Sequence, residues 1–378
     1  MDSRNDKLKN NFHITRLIAA FMVLFGHSYP LTGNYFAPDI LGVPIHSFAV
    51  MIFFSISGYL ITDSWNNDRC FHRYIMRRIL RIMPALIVVV LITALIVGPV
   101  VSELKFSEYF HQRSVLIYFL NILLAPVYSL PKVFIHNVAS SDVNGVLWTI
   151  PIEMLMYLLV PLYATVDGGF LSRAFRYCLG LIFLVGGVYA TVLRPGEFGS
   201  VFYFSSISSF QILRLAPFFF MGALIRIFNI ERFLNLQAAI IIFIITGFCG
   251  SKIREILLFA SIPYTVLSFC LAQPAIFGKC SSWPDFSYGI YLYGFLVQQV
   301  IIQLFTTNIR PLTVTFMAVP LTLICACVSW YFIEKPALRL KPSTSKSLPV
   351  GKIMLSSDKL IWPWSIKEKI SACVFYKK

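Results

Sequence analysis

The stretch NFHITRLIAAFMVLFGHSY, residues 11–29, is an apolar run with an arginine near its start and a histidine near its end. Arg16 and His27 are eleven residues apart, which in an α-helix is three turns plus roughly 20°. Both side chains therefore share one helix face, about 16 Å apart along the axis. Ionisable groups inside a bilayer are costly and usually functional, so this face is predicted to do chemical work if the helix crosses a membrane.

The composition predicts a membrane protein. The chain has 378 residues, of which 57% are hydrophobic and 13% are charged, and its mean hydropathy is +0.74; a soluble protein has about 25% charged residues. The apolar runs are continuous over about 20 residues, which favours helices over the alternating strands of a barrel. A net charge of +15 in a soluble protein suggests a nucleic-acid partner. Here the basic residues fall between apolar runs, as the positive-inside rule explains, so no nucleic acid is expected.

The predicted fold is an all-α integral membrane protein with about ten transmembrane helices and with both the N and C termini in the cytoplasm. One further apolar segment, 114–127, is short and contains Asn121 and Pro126, which predicts a re-entrant or interfacial segment. Residues 1–340 form the predicted membrane domain and residues 341–378 a basic cytoplasmic tail. The predicted spans are 13–29, 46–64, 83–102, 147–166, 177–193, 207–228, 234–250, 255–272, 286–305 and 311–334.

In this topology a histidine and a carboxylate lie near the outer ends of two spans. His27 ends the first span, and Glu153 follows Leu147 by six residues at the start of span 147–166, so both are expected at similar depth. An imidazole beside a carboxylate is suited to general-base catalysis, because the carboxylate orients the ring and stabilises the imidazolium. The alternative is that each side chain only caps a helix end in interfacial water.

A second group is the basic stretch RCFHRYIMRRILRIMPAL, residues 69–86. Arg78 and Arg81 are three residues apart and share a helix face. Arginines can hold phosphates through forked, charge-assisted hydrogen bonds. The alternative is an ordinary positive-inside loop on anionic lipid, but Arg81 enters the start of an apolar span, where a topology signal is not needed.

Three other features have two interpretations each. The segment SISGYLIT, residues 55–62, is rich in small and hydroxylic residues, which allows close helix packing or the passage of a slim ligand. Arg214, inside span 207–228, needs a partner or a wet cavity and is a candidate for substrate binding. Glu334 and Lys335 are predicted to form a local ion pair at the surface. The histidines are scattered without metal-ligand spacing, so no metal site is predicted.

Taken in order, seven segments resemble the integral-membrane acyltransferase-3 family, whose members O-acylate bacterial glycans. An arginine, ten residues and a histidine are followed by an RxxR pair and by a tryptophan placed five residues before a glutamate, and this combination is specific. The segments are RLIAAFMVLFGHS (16–28), FFSISGYLIT (53–62), RRILRIMPAL (77–86), LWTIPIEM (147–154), APFFFMGALI (216–225), FSYGIYLYGFL (286–296) and YFIEKPALRL (331–340).

The resemblance implies transfer of an acyl group, usually acetyl, from acyl-coenzyme A to a hydroxyl of a lipid-linked or surface polysaccharide. It implies that His27 is the catalytic residue and that Glu153 occupies the family's acidic position. Arg16 is the motif partner of His27, and Arg78 and Arg81 match the pair that binds the coenzyme. The multi-pass protein is then expected in the inner membrane of a bacterium.

Acceptor binding is predicted at Trp148 and Arg214. Many family members have an acidic residue where this chain has His13, and a histidine where it has Tyr293, so the chain departs from the family pattern at these two positions. The alternative function is a transporter or flippase of lipid-linked saccharides, since intramembrane charges suit that class equally well. Dependence on coenzyme A distinguishes the two. The sequence predicts no oligomeric state.

Overall fold

The computed structural model describes residues 10–34, 36–138, 142–164, 170–193, 209–305 and 309–342. Within these residues the chain is almost entirely helical, and its strands form one small antiparallel hairpin, Asp39–Ile40 with Val43–Pro44. Gly42 makes the hairpin turn with a φ of 78°, a conformation that glycine adopts without strain. Nearly all of the predicted tail, 343–378, lies outside the described residues.

Fourteen α-helices occur in the described ranges. Three of the long ones continue through a π-helical turn, at Thr93–Val97, Tyr189–Leu193 and Trp330–Glu334. The helices are α1 (Phe12–Leu31), α2 (Ile45–Asn67), α3 (Phe71–Ile92), α4 (Gly98–Val101), α5 (Phe106–His111), α6 (Arg113–Tyr118), α7 (Thr149–Ala164), α8 (Phe170–Val188), α9 (Ser209–Ile227), α10 (Leu236–Phe248), α11 (Ser251–Leu271), α12 (Ser287–Phe305), α13 (Pro311–Ser329) and α14 (Lys335–Arg339).

Seven helical stretches in the described residues are long and apolar enough to cross a membrane, and each overlaps one of the predicted spans. The third begins at Phe71, twelve residues before the predicted start at residue 83. The other three predicted spans, 147–166, 177–193 and 234–250, coincide with shorter apolar helices. A multi-pass membrane protein is therefore supported, while the count of ten and the position of the termini stay predictions. The seven are Phe12–Leu31, Ile45–Asn67, Phe71–Val101, Ser209–Ile227, Ser251–Leu271, Ser287–Phe305 and Pro311–Arg339.

The segment 114–127 forms a short helix and a turn. Its helical part, Arg113–Leu123, has 11 residues, whereas a helix needs about 20 residues to cross the apolar core of a bilayer. The turn is held by the buried Asn121, whose amide donates to the carbonyls of Tyr118 at 2.8 Å and Val127 at 2.9 Å. The segment is thus too short to be an extra span, and its re-entrant or interfacial position stays a prediction.

Helix α2 lies at the centre of the bundle, and glycines bring it against α9. A methyl group at Gly58 would lie 1.9 Å from the carbonyl oxygen of Phe219, and one at Gly222 would lie 2.2 Å from that of Ser55. Only glycine permits this backbone approach. The small residues of segment 55–62 therefore serve close packing on one side of α2, while Ser57 faces a cavity on another.

Candidate active site

A cavity of about 140 Å³ lies among α1, α2, α3, α7 and α12. Along α2 its lining extends over twelve residues, from Val50 to Ile61, which is about 16 Å of helix axis. It brings four of the predicted site residues together. The polar residues that line it are Arg16, Ser57, Arg78, Arg81, Thr149, Glu153, Tyr157, Ser287, Tyr288 and Tyr291.

Two of the arginines share one carboxylate that the sequence analysis missed. Asp285 Oδ2 accepts from Arg16 Nη1 and from Arg81 Nη2, each at 2.7 Å. Although burial raises the pKa of Asp285, the charges of Arg16 and Arg81 hold it below its usual range. This end of the cavity, around Arg16, Arg78 and Arg81, is called the arginine end below. The available signal was an aspartate directly before the apolar span 286–305.

The predicted surface ion pair of Glu334 with Lys335 is wrong. The Glu334 side chain is 1% exposed and accepts from Arg81 Nη1 at 3.2 Å and from Ser329 Oγ at 3.1 Å. Lys335 instead lies over the ring of Tyr331. Glu334 ends a π-helical turn, and the wider turn changes the face on which the following residues lie.

Arg78, unlike Arg16 and Arg81, forms no ion pair with a carboxylate among the described residues. Its Nη2 is 3.4 Å from Ser64 Oγ, its guanidinium lies over the ring of Tyr74, and its buried Nε has no hydrogen-bond partner. Among the described residues no acidic side chain pairs with it. A buried donor without a partner is costly, so Arg78 is suited to bind an anionic ligand.

A lysine joins the same group of charges. Lys341 follows α14 and is half-buried. Burial, together with the charges of Arg78 and Arg81, lowers the pKa of Lys341 to about 8. The predicted boundary at residue 340 separates Lys341 from the membrane domain, but electrostatically it belongs to the arginine end.

Glu153 lines the cavity but is not at the depth of His27. Its Oε1 accepts from Ser57 Oγ at 3.1 Å and from the hydroxyl of Tyr157. Ser57 is eleven residues along α2 from His46, the residue that contacts His27. That is three turns, or about 16 Å of helix axis. The expected pairing of His27 with Glu153 is therefore not present, because α7 presents Glu153 further toward the arginine end than the span boundaries implied.

The partner of His27 is a second histidine. The rings of His27 and His46 stack with centroids 4.8 Å apart and planes inclined by 28°, and Phe295 meets His27 edge-on at 5.2 Å. Gly26 makes this contact possible, because a methyl group there would lie 2.8 Å from both Cβ and N of His46. His46 was missed, although a titratable residue at the start of a predicted span was a signal.

The end of the cavity opposite the arginines is called the histidine end below, because the pair of His27 and His46 lies one helical turn beyond it. On α2, His46 precedes the lining residue Val50 by four positions, and on α12, Phe295 follows the lining residue Tyr291 by four positions. Each step is about 6 Å along the axis. The positions on α2 and on α12 thus give the same result: the cavity extends from the arginines to within one turn of His27.

The two predicted acceptor residues occupy different surroundings. The guanidinium of Arg214 lies 5.7 Å from the ring centre of Phe210 and interacts electrostatically with His46 and Glu255. Arg214 therefore belongs to the histidine end. Trp148 packs, half-buried, against the hydrophobic core and does not line the cavity. Within the described residues, no group of three or more His, Cys, Asp or Glu side chains is placed to hold a metal ion.

Comparison with known proteins identifies the family of this chain. The model of the acyltransferase-3 family, described as an acyltransferase domain, matches residues 9–332. The chain belongs to the acyltransferase-3 family. It is an acyltransferase, and family membership favours this function over the transporter alternative.

Two relatives match the acyltransferase over nearly their whole length. A protein named O-acetyl transferase from Shigella phage Sf6 is 29% identical, over 89% of this chain and 98% of the relative. A protein named Nodulation protein 10 from Rhizobium leguminosarum bv. viciae is 27% identical, over 89% of this chain and 95% of the relative. No solved structure gives a significant match.

Proposed function

We propose that this acyltransferase moves an acetyl group, or another short acyl group, from acyl-coenzyme A to a hydroxyl of a surface or lipid-linked glycan. The observation that carries the proposal is the cavity, which has a cluster of cations at one end and a histidine pair one turn beyond the other. The name of the phage relative, O-acetyl transferase, supports acetyl as the first donor to test.

The donor would bind with its phosphates at the arginine end. Arg78 has no acidic partner among the described residues, and Arg16 and Arg81 lie beside it around Asp285. Arginine binds phosphate through forked, charge-assisted hydrogen bonds. The slim pantetheine arm would follow the cavity along α2, which directs the thioester toward His27.

The acceptor would reach His27 from the histidine end. His27 forms no hydrogen bond with a described residue, so its nitrogens are available to a hydroxyl. Arg214 would help to bind the glycan on this side, and Trp148 has at most a supporting role through core packing. Glu153 would act on the donor in the cavity and not on the ring of His27.

The chemistry is a general-base acyl transfer. His27 takes the proton of the acceptor hydroxyl as its oxygen attacks the thioester carbon, and the carbonyl oxygen becomes an oxyanion. Collapse of the intermediate breaks the carbon–sulfur bond, and the coenzyme A sulfur leaves and receives the proton from His27. The products are an acyl ester of the glycan and free coenzyme A.

The orientation of the protein in the membrane would follow from the position of the arginine end and the location of the donor. Coenzyme A is cytoplasmic, so the arginine end would face the cytoplasm and the histidine end the opposite surface of a bacterial inner membrane. The cytoplasmic termini of the sequence prediction agree with this arrangement, because α1 carries Arg16 nearer its N-terminal end.

The test is acyl transfer in isolated membranes of a host that makes the native glycan. Labelled acetyl-coenzyme A is supplied to membranes with the protein, without it, and with His27→Ala at matched expression, and label is followed into extractable glycan. Removing a general base typically costs 10²–10⁴-fold in rate, so we expect at least about a hundredfold loss for His27→Ala. The exposed His136, which pairs with Glu103, provides a matched His136→Ala control that should keep full activity.

Two outcomes would contradict the proposal. Label that enters the glycan at the wild-type rate with folded His27→Ala protein would remove His27 as the base. Absence of label with acetyl-, propionyl- and succinyl-coenzyme A, in membranes that contain the glycan, would remove the reaction itself.

A further inference from the structure

His46 has an unusual combination of burial and missing partners. Its Nδ1 is buried and has no hydrogen-bond partner, and its Nε2, which is not enclosed, makes no hydrogen bond with a described residue. A polar atom left unpaired in a protein interior costs free energy, and such atoms in native structures need an explanation. A phenylalanine would stack on His27 equally well without this cost, so packing alone does not account for an imidazole here.

The tautomer follows from the two nitrogen environments. A neutral imidazole carries its proton on one nitrogen and a lone pair on the other. An enclosed N–H without an acceptor is the less favourable choice, so the proton belongs on Nε2, where a ligand atom can accept it. The enclosed Nδ1 then carries only a lone pair.

The stacking of His46 on His27 decides what the Nε2 proton can meet. Rings inclined by 28° with centroids 4.8 Å apart have their edges side by side, so the nitrogens of the pair point into neighbouring space and not at each other. A substrate group that reaches His27 therefore lies beside His46 as well. The charged groups that face His46 are His27 on α1, Arg214 on α9 and, through Arg214, Glu255 on α11.

We propose that His46 is a second catalytic residue of the acyl transfer, and that its Nε2–H donates a hydrogen bond to the thioester carbonyl oxygen as that oxygen becomes an oxyanion. The proposal rests on the proposed function of His27 as the base. His27 takes the acceptor proton as the carbon–oxygen bond forms, and His46 keeps its own proton and stabilises the negative charge. When the carbon–sulfur bond breaks, the charge leaves with the sulfur and the hydrogen bond returns to a neutral carbonyl.

Three substitutions separate the hydrogen bond from the stacking. His46→Gln keeps an N–H donor near the position of Nε2, His46→Asn keeps one near Nδ1, and His46→Phe keeps the ring without any donor. Loss of one oxyanion donor typically costs about 10²–10³-fold in kcat. We expect that loss for His46→Phe and His46→Asn, a kcat within about tenfold of wild type for His46→Gln, and an unchanged KM for acetyl-coenzyme A in all three.

The measurements are kcat and KM for labelled acetyl-coenzyme A in proteoliposomes that contain the glycan acceptor, for each purified full-length variant. Monodisperse elution and an unchanged melting temperature show that a variant is folded, and His136→Gln is the matched control. A folded His46→Phe enzyme with wild-type kcat would overturn the proposal and leave His46 as a packing ring. A folded His46→Gln enzyme as slow as His46→Phe, or a fast His46→Asn enzyme, would overturn the assignment to Nε2.

The companion variant His27→Ala keeps the two proposals distinguishable. If His27→Ala is active, the role of His27 as the base is refuted, and the proposed role of His46, which rests on it, is refuted as well. If His27→Ala is inactive and all His46 variants match wild type, only the role of His46 fails.

Discussion

A single methyl group at Gly26 tests whether the contact between α1 and α2 positions the histidine pair. In Gly26→Ala the new Cβ would lie 2.8 Å from His46 Cβ, His46 N and Ile45 Cγ2, whereas ordinary contacts begin at 3.4 Å. The start of α2 must therefore move away from α1, by about 0.6 Å if ordinary contact is to be restored. Rotation of a side chain cannot relieve the clash, because two of the three atoms are a backbone nitrogen and a Cβ.

The displacement converts into two expected effects. Overpacking a filled interior costs about 1–3 kcal/mol, and the better helix propensity of alanine returns about 1 kcal/mol, so the net loss of stability is about 0–2 kcal/mol. A misplacement of about 1 Å at a reacting group costs about 10²-fold in rate, so a shift of roughly half that size is expected to lower kcat about tenfold. The expected result is thus a large loss of rate with a small loss of stability.

The assay is acyl transfer per folded protein, with the melting temperature measured in the same detergent. Gly250→Ala is the matched control, because a Cβ there has no neighbour within 4 Å. Gly58→Ala is the opposite control, since its methyl would lie 1.9 Å from the Phe219 carbonyl oxygen and should prevent correct folding. If folded Gly26→Ala has the kcat of Gly250→Ala, the histidine pair does not need its observed spacing and the reasoning is refuted.

Three further predictions concern the arginine end. Arg78→Ala should raise the KM for acetyl-coenzyme A at least tenfold with little change in kcat, because its guanidinium has no acidic partner; an unchanged KM would place the phosphates elsewhere. Lys341 has a pKa of about 8, so its ammonium is present below that pH and lost above it. The KM for acetyl-coenzyme A should therefore rise between pH 7 and 9 in wild type but not in Lys341→Arg. Equal pH profiles of the two enzymes would contradict this. Asp285→Asn leaves two arginines without their shared carboxylate and should lower the free energy of unfolding by about 2–4 kcal/mol. Its melting temperature in detergent should be lower than that of the control variant Asp39→Asn, at an exposed hairpin residue. Equal melting temperatures would show that the ion pairs add no stability.

The sequence predicted well those features that depend on neighbours along the chain. The predicted span 13–29 lies within α1, Phe12–Leu31, and the shared face of Arg16 and His27 follows from helical periodicity. Arg78 and Arg81 line one cavity for the same reason, because α3 begins at Phe71 and carries both in a continuous helix. The RxxR pair is therefore not in a loop, as a topology signal would be.

Features that depend on the relative depth of two helices were not predictable in this way. The pairing of Glu153 with His27 assumed that both residues lie at the same depth, but an offset of about three turns of α2 separates their contacts. His46 contacts His27 only because Gly26 removes a side chain between the two helices. Glu334 turns inward at a π-helical turn, and no local pattern in the sequence announces such a turn.

The distribution of charge would allow the proposed donor to bind without disrupting the helix bundle. Asp285 and Glu334 already compensate Arg16 and Arg81, and removal of a buried partner from such a pair is costly. A phosphate that had to displace Asp285 would meet that cost at every turnover. Arg78 and Lys341 carry positive charge that those carboxylates do not compensate, so the proposed donor phosphate would be attracted by them. The ion pairs would meanwhile keep α1, α3 and the start of α12 in register along the proposed route to His27.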